Sequence, residues 1–372
     1  MARPALHEHR RAGRRRRRLL LPLLLAAAGA AGAAPPPPRG PCGPWRRVAY
    51  RHRAEGLGAA EEEAGAGGCG RPGVAAVASF NGCTAADGWG RLSVTTCAGF
   101  DAREQMFGAG YVEGFVTGLQ MELYWTNYAA AEYPPAGAPP AALRSWMAAQ
   151  LDWAREQVDE HAESEPRWAA MGLILAHYDG LVAGYNQSSL QRGGADDGGS
   201  AAGRAGPPLD PLTIYMLGSV GDLEELNGMF GGGLRGAGSA PREEVDRLMD
   251  CSALVKVTEG DLQAAHATWR SYYAMLRTWK RYDFTSALGR RLSVASSPGL
   301  LHSKDDFYAV VGDGSVRLVV METTNSVFNQ THLEEHVHPE SLLSWQRASL
   351  ANYLAQGPFK WTQLFTRHNS GT

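Results

Sequence analysis

At 372 residues, with 44% hydrophobic and 20% charged side chains, the chain can bury a large core, as one big domain or two smaller ones. Its 36 basic and 38 acidic residues give a formal charge of −2, and the first 34 residues hold eight arginines against one glutamate, so the remainder carries −9. No basic stripe survives there to neutralise phosphates, which excludes nucleic acid as the expected partner.

Residues 1–34 read as a secretory signal peptide: Arg14 to Arg18 form a basic region, Leu19 to Leu25 an apolar one, and Ala26 to Ala34 a small-residue zone with cleavage before Pro35. Leu19 to Ala34 falls short of the ~20 apolar residues that span a bilayer. Later segments carry no transmembrane pattern; Met171 to Tyr185 includes His177 and Asp179 and suits a buried helix better.

Residues 35–87 are expected to form a partly disordered N-terminal segment. Cys42, Cys69, Cys83 and Cys97 can pair in three ways in a secretory lumen, and the odd count leaves Cys251 as the expected thiol. Asn186-Gln187-Ser188 and Asn329-Gln330-Thr331 are glycosylation acceptors along the same route.

Residues 88–250 are expected to be a helical N-terminal portion with linkers at 187–210 and 228–244. Glu104 to Tyr124 has Gly110, Gly114 and Gly118 at four-residue spacing. Each glycine costs about 1 kcal/mol against alanine in a helix, so close approach of a neighbour is the expected compensation. Glu113, Gln120 and Glu122 argue against a membrane dimer face. The next helix carries Leu143, Met147, Leu151, Ala154 and Val158 on one face; its successor carries Trp168, Met171, Leu175, Tyr178, Val182 and Tyr185. Leu212 to Leu226 is a further ordered element.

Beyond residue 250, Cys251 to Val257 has strand composition, Glu259-Gly260-Asp261 supplies a turn, and Leu262 to Thr268 is a second strand. Ser271 to Tyr282 is expected to be a helix, with Tyr272, Met275, Leu276 and Trp279 on one face. Gly312-Asp313-Gly314 joins Phe307 to Val311 and Ser315 to Thr323 in a hairpin, and a last helix runs from about Glu340 to Ala355. Periodicity alone gives a mixed α/β class. His332, His336 and His338, beside Glu334 and Glu335, lack a cysteine or second cluster and read as solvated loop residues, so neither metal nor other cofactor is expected. The absence of a phosphate-cradling glycine motif and of a Gly-x-Ser-x-Gly elbow indicates neither a nucleotide enzyme nor a serine lipase.

Several ordered words closely resemble the phospholipase B-like family of N-terminal nucleophile hydrolases, nearest its type 1 branch. They are Gly88-Trp89-Gly90, Gly110 to Gly114, Ser219-Val220-Gly221-Asp222-Leu223, Cys251-Ser252-Ala253-Leu254, Ala265 to Trp269, Ala274 to Arg277, Asp305 to Tyr308, Thr323 to Asn329, and Asn369-Ser370-Gly371-Thr372. The resemblance runs from about Trp89 to the last residue and matches residues 35–87 poorly. It implies an α+β fold, the αββα sandwich, with residues 251–372 as the start of the nucleophile-bearing portion. Family members continue past Asn369-Ser370-Gly371-Thr372, so the chain is expected to be C-terminally truncated and the sandwich incomplete. An asparagine and an arginine of the family site lie beyond this point, which puts the activity of the short chain in question.

The implied activity is removal of fatty acyl chains from glycerophospholipids in the lysosome lumen or outside the cell. The alternatives are an amidase on N-acylated small molecules or lipids, and a non-catalytic lumenal lipid-binding protein. Autoproteolysis between Asp250 and Cys251 would give one residue both catalytic groups, the thiol as nucleophile and its freed α-amine as base. Before maturation the same thiol would attack the Asp250 carbonyl, and water would hydrolyse the thioester. An ordinary α-amine, with pKa about 7.7–8.0, is protonated at acidic pH, so an apolar wall is needed to depress it. By the resemblance Trp269 supplies that wall, His266 hydrogen bonds or relays a proton, and Thr324 orients the substrate or the amine. By residue type alone Cys251 is an inert core cysteine, His266 a satisfied core histidine, and Trp269 and Thr324 are packing.

Overall fold

The computed structural model describes residues 45–53, 56–62, 68–85, 87–193, 208–231, 251–304, 307–323 and 330–372. Four strands come first: β1 (Arg46–Arg53), β2 (Gly56–Glu62), β3 (Val74–Asn81) and β4 (Trp89–Thr96). Helices α1 (Ala102–Glu132), α2 (Ala141–His161), α3 (Pro166–Gly193), α4 (Pro211–Gly218) and α5 (Leu223–Met229) follow. The later elements are β5 (Ser252–Thr258), β6 (Asp261–Ala267), β7 (Arg277–Phe284), α6 (Thr285–Leu288), β8 (Arg290–Ser296), β9 (Phe307–Gly312), β10 (Arg317–Met321), α7 (Gln330–His336), α8 (Ser344–Leu354) and α9 (Pro358–Phe365).

Eight strands form one mixed sheet in the order β10-β9-β8-β7-β4-β3-β1-β2, antiparallel except where β4 and β7 pair in parallel. An α+β class is therefore correct, and three expectations need correction. Strands β1, β2 and β3 lie within residues 35–87, where partial disorder was expected, and they build one edge of the sheet. The proposed division at residue 250 is not a break in the sheet, because β7 pairs directly with β4. The third concerns Ser271 to Tyr282: Tyr272–Ala274 is a single 3₁₀ turn, and β7 begins at Arg277. Thr278, Lys280, Tyr282 and Phe284 alternate inward, and a buried lysine among them hides the two-residue period from a reading by hydrophobicity.

α1 starts at Asp101, whose carboxylate accepts the Glu104 N–H at 2.8 Å. It lies on β1, β3 and β4 and packs along α3, whose other neighbours include α2 and α8. The expected small-residue seam is real and two-sided. A Cβ on Gly110 or Gly114 would fall 1.9 or 2.1 Å from the carbonyl oxygens of His177 and Leu181, and one on Gly180 or Gly184 1.9 Å from those of Phe107 and Tyr111. The helices thus meet backbone to backbone.

Within this seam Glu113 is fully buried. Its carboxylate accepts from Lys280 Nζ at 2.7 Å and from the Tyr282 hydroxyl at 2.8 Å, while Lys280 also donates to the Leu300 carbonyl at 2.5 Å. His177, from α3, faces Tyr282 and Phe284 edge-on with Nε2 3.9 Å from Glu113. Burial, and next the Lys280 cation, push His177 down to about 3. With Lys280 already neutralising Glu113, a second cation has no anion to meet. Burial likewise lowers Lys280 and raises Tyr282.

Two outcomes follow. Gly184→Ala, which in a solvated helix would gain about 1 kcal/mol, should instead lower unfolding free energy by about 3 kcal/mol or more in urea titrations, because the clash is with fixed backbone. The second is a pH slope. The His177 pKa is lowered in the fold, so the unfolded chain binds the extra proton; stability is full above about pH 6.5 and falls as pH drops towards 3. Between pH 6.5 and 5 this amounts to about 2 kcal/mol, with burial of His302, pushed to about 4, adding to it. His177→Gln should flatten the slope by the His177 share when urea midpoints are compared across that range.

Candidate active site

The stretch singled out by the sequence forms a hairpin of its own. β5 and β6 pair as a separate two-stranded sheet, Ser252 opposite Ala267 and Ala253 opposite His266, closing on Glu259-Gly260 with Gly260 at φ +79°. This φ suits glycine. Both strands were expected within a residue of these bounds. Val255, Val257 and Leu262 are exposed on the face they share with Ala253 and the half-buried Ala264 and His266, and Val257 is 78% exposed.

Cys251 immediately precedes β5, half-buried, and keeps its thiol. Continuing the register by one residue sets it opposite Thr268 and diagonal to His266, on the same face. Diagonal neighbours on a ladder have backbones ~7–8 Å apart, a separation that aromatic and long side chains can bridge. His266 is held elsewhere. Its Nε2 lies 2.7 Å from the Glu322 carbonyl, an acceptor only, so Nε2 carries the proton and donates; Nδ1 is 3.3 Å from Thr268 Oγ1. Trp269 is 54% exposed. Next to it, buried Arg270 faces Glu224 of α5 at 3.4 Å, fixing the hairpin's base.

Asp250, Thr324 and Asn329 lie outside the described residues. Asn186 is exposed on α3, and the linker expectation at 187–210 is corrected in its first part, since α3 continues to Gly193. Cys69 and Cys97 form a disulfide and Cys83 is also disulfide-bonded, which selects among the pairings left open by sequence. His332 and His336 are on helix α7, not in a loop as expected, while His338 follows it.

Two of the quoted words meet. Asp222 Oδ1 accepts the Ser344 N–H and the Thr372 hydroxyl, each at 2.6 Å, and Arg347 donates to the Thr372 carbonyl at 3.1 Å. Spacing gave no signal for this contact, 150 residues apart. A recess between α3, α4 and α8, lined by Tyr178, Ile214, Tyr215 and Trp345, contains none of the expected site residues and, at about 10 Å³, has room for about one water molecule.

The disulfides and the position of Cys251 give a direct expectation. Unreduced protein should react with one equivalent of a thiol reagent, and Cys251→Ser should remove that reaction; undiminished labelling of the variant would place the reactive thiol elsewhere.

Comparison of the sequence with known proteins matches it to a family. The Phospholipase B family model covers residues 76–372. The chain is 32% identical over 313 residues to phospholipase B-like protein G of Dictyostelium discoideum, covering 77% of this chain and 49% of that protein. It is 33% identical over 308 residues to human phospholipase B-like 1, covering 79% and 51%. Phospholipase-B 81 of the snake Drysdalia coronoides is 32% identical over 307 residues, covering 79% and 52%. The chain spans about half the length of these relatives. With a matched segment that begins in β3 and takes in the whole Cys251 hairpin, the chain belongs to the phospholipase B family.

Proposed function

We propose that this chain carries the nucleophile-bearing part of a lumenal acyl hydrolase, built on the αββα sandwich of N-terminal nucleophile hydrolases, acting on glycerophospholipids in the lysosome or outside the cell. The observation that carries the reading is the placement of a thiol one residue ahead of β5, on the His266 face yet diagonal to that ring. His266 donates its Nε2 proton to Glu322, which leaves Nδ1, beside Thr268, as its acceptor. In this reading the base is supplied by the same residue as the thiol, Cys251, through its own α-amine after cleavage from Asp250. The thiol adds to the acyl carbonyl, the amine takes its proton and returns it to the leaving alcohol, and water then releases the fatty acid from the thioester.

His266 acts in this scheme as a positioning residue, with Thr268 beside it. Trp269 supplies apolar surface for an acyl chain or for the amine, and Thr324 contributes an orienting hydroxyl. None of these roles requires a metal. Membership of a family whose relatives are named phospholipases supports the substrate class, and no helix among the described residues is long and apolar enough to cross a membrane.

The test is N-terminal sequencing after acid treatment, expected to return a fragment that starts at Cys251. Cys251→Ala should abolish both cleavage and fatty-acid release, while Cys251→Ser should process more slowly, a hydroxyl being the weaker nucleophile. An intact chain, or a fragment starting elsewhere, would overturn the self-processing step. Matched phospholipid and N-acyl amine substrates of one chain length distinguish ester from amide hydrolysis. A ligand that raises the melting temperature without any turnover would instead support a lipid-binding protein.

A further inference from the structure

The sequence His332-Leu333-Glu334-Glu335-His336 sits on α7, away from the Cys251 hairpin in the chain, and the proposed hydrolase makes no use of it. Two histidines four residues apart project from the same side of a helix, one turn above the other, and a carboxylate three residues after the first joins that side. The structure bears this out. The His332 and His336 rings stack with centroids 5.9 Å apart and planes inclined by 19°. A carboxylate oxygen of Glu335 lies 4.0 Å from His336 Nε2. One ligand atom from each of the three side chains falls within 4.8 Å of the other two, and all three side chains are exposed.

Burial on the opposite side fixes which way this face points. Leu333 within α7 and Val337 just after it are both buried, so the helix is anchored at these two residues and holds the two imidazoles and the carboxylate in solvent. Metal–nitrogen bonds of ~2.0–2.1 Å bring donor atoms closer together than they stand here, a change that rotation of exposed side chains supplies without moving the backbone.

We propose that His332, Glu335 and His336 form a surface site for a divalent transition-metal ion of zinc type, with water completing the coordination. Two neutral imidazoles and one carboxylate form the donor set that zinc accepts with an open position. Calcium and magnesium require mostly oxygen ligands and are poorly served by this set. Two bonds to residues one turn apart would clamp α7. At seven residues it is far shorter than a helix that is stable by itself, so the metal would fix a conformation that tertiary packing now maintains from one side only.

The experiment is calorimetric titration of untagged, chelator-treated full chain with zinc chloride near neutral pH, with calcium chloride as the second injectant. One saturable zinc site is expected, with no calcium heat. Loss of an outer-shell partner typically lowers metal affinity ~10–100-fold, so His332→Gln and His336→Gln, which remove a ligand outright, should each lower it by about 100-fold or more. Glu335→Gln should lower it about tenfold, and His338→Gln, off the helix, should leave it unchanged. These positions are exposed, and circular dichroism without metal verifies that the variants remain folded. Absence of saturable zinc binding, or undiminished binding in the His332→Gln/His336→Gln double variant, would overturn the site. Full affinity in Glu335→Gln would overturn the three-ligand assignment.

Discussion

The fold depends first on a charge pair that water never reaches. Glu113 on α1 and Lys280 on β7 are each wholly buried, and their separation of 2.7 Å is the shortest bond between the helical layer and the centre of the sheet at that point. Desolvating two such ions costs several kcal/mol each unless the remaining donors and acceptors are also met. Here they are met: Tyr282 donates to the second carboxylate oxygen, and Lys280 donates to Leu300 between β8 and β9. Removing either partner would leave an uncompensated charge, a loss of about 3–5 kcal/mol. The pair is also specific, because only one rotation and one translation of α1 over the sheet bring these groups together.

The glycine seam follows from that placement. Gly110 and Gly114 flank Glu113, so the turns of α1 that reach Lys280 are the turns that admit α3 to backbone contact. α3 in turn carries His177 to the edge of the same cluster and packs against α8. A buried polar web then fixes the C-terminal helices: Gln150 of α2 donates to Ser341 O and Gln346, Gln346 donates to Tyr215 of α4, and Trp345 donates to Ser219. Each buried polar atom in this chain of contacts finds a partner, which gives the region one arrangement and not a family of slipped ones.

The Cys251 hairpin has none of this support on its apolar face. A lone two-stranded sheet is marginal in water, and this one is held mainly at its base, where His266 donates to Glu322 and Arg270 meets Glu224. The face bearing Val255, Val257 and Leu262 is exposed. The hairpin is thus open to solvent on that face, whereas Glu113 and Lys280 are wholly buried.

Local pattern determined much of this protein. The stripes of α1, α2 and α3, the turn at Gly260, the hairpin around Gly314 and the thiol at Cys251 were all legible, because each depends on spacing or on one residue's intrinsic preference. Order and wording along the chain also carried the family. Three features were not legible, for related reasons. β7 looked helical because its inward row includes Lys280, and a charge is read as exposed until its distant partner Glu113 is known. Strands β1 to β3 were missed because weakly apolar segments become strands only when neighbouring strands satisfy their backbone groups. The contact between Asp222 and Thr372 joins residues 150 positions apart, a separation at which spacing holds no information. Sequence fixes what a segment prefers by itself; which segments meet is decided by the burial of paired polar groups, and that exists only in the folded chain.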